Sequence, residues 1–142
     1  MGSAIIDKDL MEEVIKLIRG VDSILISSED PKKLANFYKE KVGLKQTMEF
    51  EYGEKGETGY MFEVGKTGIS ILPHSDIKGK NSNPARIMIN IEVDDEEKEL
   101  KKLKKAGVKC IEDIYHMQDY GLIATFEDPD GNYFQLVQVR AN

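Results

Sequence analysis

The feature that most limits what this chain can fold into is an internal repeat. A strand, a helix and three further strands follow one another over residues 21–72. The same order returns over 86–140 at an offset of about 65 positions. Ser23 then corresponds to Met88, Ser70 to Gln135, and the helix after Asp30 to the one after Asp94 or Asp95, with Gly43 falling near Gly107. In the first unit Val21 to Ser27 reads as a strand. Asp30 can cap the next helix, because its carboxylate accepts from orphan amides and Pro31 has no amide to satisfy. Leu34, Phe37, Tyr38 and Val42 share one helical face, and Gly43 stops the segment. Strands are expected at 46–52, 59–64 and 69–72. In the second unit Ile87, Ile89, Ile91 and Val93 alternate with Arg86, Met88, Asn90 and Glu92. A helix follows, with Asp94 as its cap and Glu97 completing a capping box. Its acidic first turn and lysine-rich last turn suit the helix dipole. Three more strands lie near 109–114, 121–126 and 133–139.

The expected fold class is α+β: two βαβββ modules forming an eight-stranded cup, plus an amphipathic N-terminal helix at 7–19. Each module puts its helix on one face of its strands and leaves the other concave, so two concave faces set against each other enclose the cup. The chain reads as a single domain over 1–142. Its modules are 21–72 and 86–140, joined by a Ser-, Asn-, Gly- and Pro-rich linker at 73–85.

Two stretches sharpen this. One is Asp128-Pro129-Asp130-Gly131-Asn132, which turns an apolar run into an alternating strand: Pro129 presets φ and Gly131 accepts a positive φ. The other is Asp30-Pro31-Lys32-Lys33-Leu34-Ala35-Asn36-Phe37-Tyr38, running on to Gly43-Leu44. Together they resemble the vicinal-oxygen-chelate superfamily, which includes glyoxalase I, the bleomycin-resistance proteins and the extradiol dioxygenases. Metal-dependent members hold a divalent ion with one ligand on the first and one on the last strand of each module, usually His, Glu or Gln. The ion stabilises developing negative charge on the substrate. Carried onto this chain, the resemblance places those positions at Ser23, Ser70, Met88 and Gln135. Hydroxyls and a thioether do not hold a catalytic divalent ion in water, and only Gln135 is a ligand type of the family. No metal and no other cofactor is therefore expected.

The ligand-binding residues expected are Ser23, Ser70, Met88, Asn90 and Gln135 lining the cup, with His116 at its rim or lid. His74 and His116 are the only histidines, both expected in loops. Asp94 to Glu97 and the lysine runs read as solvated helix faces. A net charge of −6 excludes nucleic acid as a natural partner, since phosphates demand a basic face. No apolar run reaches membrane-span length, and one cysteine supplies neither a disulfide framework nor a thiolate zinc site. A cytoplasmic protein is expected. No nucleophilic triad, phosphate loop or Cys-His pair is visible.

Three functions remain open at this point. The first is a metal-independent protein binding a small, partly apolar molecule in the cup, as the resemblance to bleomycin-resistance proteins implies, often as a homodimer with sites between subunits. The second is a metal-dependent lyase, isomerase or dioxygenase of the same superfamily, using other ligands such as His74 or His116. The third is a non-catalytic interaction domain.

Overall fold

In the computed structural model, residues 7–9 and 17–140 are described. The helix expected at 7–19 falls largely outside them. The first module runs β1 (Ser23–Ser28), α1 (Pro31–Asn36), β2 (Lys45–Tyr52), β3 (Glu57–Val64) and β4 (Thr67–Pro73). The second runs β5 (Ile89–Glu92), α2 (Glu96–Lys105), β6 (Lys109–Met117), β7 (Gly121–Glu127) and β8 (Tyr133–Val139). The strands form two four-stranded sheets with the same topology, β1-β4-β3-β2 and β5-β8-β7-β6. In each, the strand before the helix pairs in parallel with the last strand, and the remaining pairs are antiparallel. The chain is therefore two βαβββ modules. Both sheets are open, and β1 and β5 each keep one free edge among the described residues.

The helix signals hold in detail, with two shifts. Asp30 accepts from the Lys33 amide at 3.2 Å and Pro31 occupies the first turn, as its fixed φ favours. After Asn36 the helix widens into a π-helical stretch, Phe37–Val42, which closes where the Gly43 and Leu44 amides both donate to the Tyr38 carbonyl. The second cap is Asp95 rather than Asp94: its carboxylate accepts from Lys98 N–H at 3.1 Å. Strand β5 is shorter than the alternation suggests. Pro84 and Ala85 form a turn, with the Arg86 amide donating to Asn83 at 3.1 Å, so pairing starts only at Ile89. Ile87 consequently stands in solvent, while Ile89, Ile91 and Val93 pack on the core. Conversely β6 runs on to Met117, because a tight turn at 118–120 lets Met117 pair with Gly121. Gly121 is required there. Its φ is 144°, and a β-carbon would collide with the Gln138 carbonyl.

One hydrophobic core serves both modules. Phe62, Ile69 and Ile71 from the first sheet and Phe126, Phe134 and Leu136 from the second meet around the two helices. Phe134 is the joint: its ring lies 5.9 Å from Phe37 and 5.5 Å from Tyr38, both edge-on, and stacks on Phe126 at 5.8 Å. Burying a side chain of this size is worth about 1.5–3 kcal/mol, with about 0.5–1.5 kcal/mol more for each such ring pair. The π-helical widening sets Phe37 and Tyr38 side by side on the surface that receives Phe134. Among the described residues, no helix is long and apolar enough to cross a membrane.

Candidate functional site

The core takes the helix-bearing face of each sheet, so strand alternation assigns the other side chains to the opposite, open face. In the first sheet, register aligns Leu25, Ser70, Met61 and Met48 in one row across β1, β4, β3 and β2. Beyond it, Ser27 lies opposite Leu72 and Gly59 opposite Phe50. Gly59 is glycine for lack of room: a β-carbon would meet Leu72 Cδ2 and Phe50 Cζ. Leu25 and Met48 are exposed, whereas Ser70 and Leu72 are buried in the floor. In the second sheet the matching row is Asn90, Gln135, Thr125 and Glu112. Gln135 Nε2 donates to Thr125 Oγ1 at 2.8 Å, which fixes the amide and leaves its carbonyl oxygen for another donor.

The residues singled out from sequence divide between these sheets. Ser23 and Ser70 lie on β1 and β4 of the first, Ser23 opposite Gly68 and Ser70 opposite Leu25. Asn90 and Gln135 are register partners on β5 and β8 of the second, and Met88 precedes β5 by one residue. His116 is not in a loop: it is exposed on β6 opposite Leu122. His74 does follow a strand, and its Nδ1 accepts from the Asp76 amide at 3.1 Å. Among the described residues, no three His, Cys, Asp or Glu side chains are grouped so as to hold a metal ion. The donors of Ser23, Ser70, Met88 and Gln135, two hydroxyls, a thioether and an amide, do not fit a catalytic divalent ion either.

Three features take roles that the sequence does not announce. The first is Asp128. This buried carboxylate accepts from Tyr38 Oη at 2.6 Å, from the Asp130 and Asn132 amides, and from Asn132 Nδ2. Burial raises the pKa of Asp128 while those four donors pull it down. Tyr38 is raised well above the usual phenol value, by burial first and by the Asp128 charge second. The Asp-Pro-Asp-Gly-Asn turn is therefore also the clasp between modules.

The second is Glu96, expected on a solvated face but 0% exposed, with neither carboxylate oxygen hydrogen-bonded. Burial lifts its pKa to about 7, with the Glu99 charge adding to the rise. The nearby Ala124 amide pulls the other way without reaching hydrogen-bond geometry. The spacing Glu96, Leu100, Leu103 places it on the apolar stripe, a signal present in the sequence.

The third is a cavity of about 470 Å3 where the modules adjoin, bounded by β1, the residues leading into β5, the start of β8, and residues 77–82. None of Ser23, Ser70, Met88, Asn90, Gln135 or His116 lines it.

Comparison with known proteins meets this geometry. The model of the Glyoxalase/Bleomycin resistance protein/Dioxygenase superfamily matches residues 20–136. The chain belongs to that superfamily. Uncharacterized protein YetH of Bacillus subtilis (strain 168) is 27% identical over 121 residues, covering 84% of this chain and 98% of YetH. Among solved structures, TnmS3, an antibiotic binding protein from Streptomyces sp. CB03234, superposes with a TM-score of 0.70 at 22% identity, over 86% of this chain and 97% of that one. Lactoylglutathione lyase from Agrobacterium tumefaciens superposes with a TM-score of 0.64 at 12% identity, over 85% and 94%. At these identities the structural matches show a shared fold, and one fold carries both names.

Proposed function

We propose that this member of the superfamily binds a small, partly apolar molecule without a metal ion, against the open faces of its two sheets. One observation carries the reading. The four positions that the resemblance assigns to the metal ligands bear Ser23, Ser70, Met88 and Gln135, which suit hydrogen bonding and soft apolar contact but not a divalent ion. Asn90, Gln135 and Thr125 offer oriented polar contacts in the second sheet, beside the apolar Leu25, Met61 and Met48 surface of the first. A few placed polar groups in an apolar setting is what small-molecule sites require. That a protein of the same fold is an antibiotic binding protein is in keeping with a small-molecule ligand here.

The site includes Ser23, Ser70, Met88, Asn90 and Gln135, with His116 near the edge on β6. The reading extends to a homodimer in which the first module of one chain faces the second module of the other. Supporting it, the helix-bearing faces are used up in the shared core, while Leu25, Met48 and Met88 remain exposed.

Calorimetric titration with zinc tests the metal-free reading. Wild-type protein should show no stoichiometric binding, and chelator should leave Tm unchanged, since no ion-binding energy is coupled to folding. A variant combining Ser23→His, Ser70→Glu, Met88→His and Gln135→Glu should gain a zinc site. Tight one-to-one binding by the wild type sinks the proposal. Gln135→Ala and Met88→Ala should weaken binding of an apolar ligand more than they lower Tm, and light scattering should report a dimer at micromolar concentration.

A further inference from the structure

The cavity between the modules shares Leu25 with the open face of the first sheet, and the reading above gives the rest of its lining no role. Four consecutive β1 residues line it, Ile24, Leu25, Ile26 and Ser27, so it follows the free edge of that strand rather than one of its faces. Its floor is the aromatic joint: Phe134, 1% exposed, and Tyr38 beside it.

Residues 77–82 cross it as a strap tied at both ends. On the first module, Gly79 N–H donates to Glu29 at 3.0 Å and Lys78 Nζ lies 3.8 Å from the same carboxylate. On the second, Asn81 N–H donates to the Asp130 carbonyl at 2.8 Å and Asn81 Nδ2 to Asn132 at 3.0 Å. The walls are thus held in place without a ligand's help, which lowers the ordering cost of binding.

Two aspects of the lining identify what fits. Leu25, Ile77 and Ile87 stand at the mouth 57%, 39% and 80% exposed, an apolar surface that burial against a ligand would stabilise. Lys80 and Asp130 also line the cavity, from backbone stretches in direct contact. A β-carbon on Gly131 would sit 3.2 Å from Lys80 Cβ. Yet among the described residues Lys80 and Asp130 form no ion pair with each other or with any third group. Asp130 is half-buried, and its charge acts on the Tyr38 hydroxyl. Two opposite charges that are not paired with each other thus line one hollow, Lys80 exposed and Asp130 half-buried.

We propose that this cavity binds a small zwitterion with an apolar body, the chemical class of a hydrophobic amino acid. The apolar body lies against Ile26, Ile89 and Phe134, the carboxylate meets Lys80, and the ammonium meets Asp130. A volume of about 470 Å3 accommodates such a molecule.

The test is calorimetric titration of the full chain with four probes: L-phenylalanine, L-leucine, 3-phenylpropionate, which lacks the amine, and 2-phenylethylamine, which lacks the carboxylate. The amino acids should bind, and each singly charged analogue should bind at least about tenfold more weakly than L-phenylalanine. Lys80→Gln should erase the preference over 2-phenylethylamine, and Asp130→Asn the preference over 3-phenylpropionate. Ile77→Ala, which strips apolar surface from the cavity mouth, should weaken binding of both amino acids. The two charge variants keep the proposal testable if that one does not fold. Three results overturn it: no binding of either amino acid up to about 10 mM, equal binding of a singly charged analogue, or loss of binding in Ser70→Trp with none in Lys80→Gln and Asp130→Asn. The last result would move the ligand to the open sheet face, which keeps failure here distinct from failure of the function proposed above.

Discussion

The two modules share a frame and differ in what they do with it. In the first, α1 and its π-helical extension bury Leu34, Ala35, Phe37, Tyr38 and Val42, so this helix faces its own sheet and the second module at once. In the second, α2 buries only Glu96, Leu100 and Leu103 and leaves a charged face in water. The open sheet faces differ in the same sense. The first presents Leu25, Met61 and Met48 around one buried serine, and the second two amides, a hydroxyl and a carboxylate in the matching row. The strand ladders, caps and helix stops repeat because backbone hydrogen bonds demand them. Side chains that meet a partner or a ligand are free of that demand, and there the modules diverge.

Five substitutions break or sharpen this comparison, taken from the largest expected effect. Phe134→Ala removes the ring that joins the modules and should cost about 3–5 kcal/mol. Urea unfolding should remain a single transition, because the core is shared; two separated transitions would show that the modules are independent.

Glu96→Gln addresses the buried carboxyl of the second module that has no hydrogen-bond partner. The folded-state pKa of Glu96 is raised from 4.5 to about 7, so the fold favours the protonated form. Its stabilising effect is complete below pH 4.5, declines as pH rises toward 7 and is gone above that, a change of up to about 3 kcal/mol. Wild-type Tm should therefore fall between pH 5 and 8, and the variant should remove most of that fall. Asp128, also raised, contributes with the same sign. Identical pH profiles for the two proteins would place Glu96 in water.

Tyr38→Phe takes one of four donors from Asp128 across the module boundary and should cost about 1–2 kcal/mol by chemical denaturation. Asp30→Ala and Asp95→Ala remove equivalent caps and should each cost about 1 kcal/mol. A large inequality between them would mean that the two helix starts are not equivalent.

Much of the frame is legible in the sequence because its signals are local. Asp30 before Pro31, Gly43 and Gly107 after apolar stripes, and Ile89 alternating with Asn90 each act within a few residues. The π-helical widening, the Asp128 clasp and the strap at 77–82 depend on groups far apart in the chain, and no local pattern announces them. Glu96 is a different case. Its spacing to Leu100 and Leu103 was readable, but the flanking acidic residues favoured solvent. Register on β4 and β8 could be counted from the turns, so Ser70 and Gln135 are on the strands anticipated, at positions opposite Leu25 and Asn90. The cavity between modules could not be counted. It arises from how the two halves dock.

The hydrogen bond from Tyr38 to Asp128 joins residues 90 positions apart. During synthesis, at about 5–20 residues per second, Tyr38 waits roughly 5–20 seconds for Asp128 to be made. Over that interval the Phe37–Tyr38 surface has no Phe134 to cover it. This nascent chain carries an aromatic patch that a chaperone can hold, and its rate of maturation is governed by the arrival of its last strand.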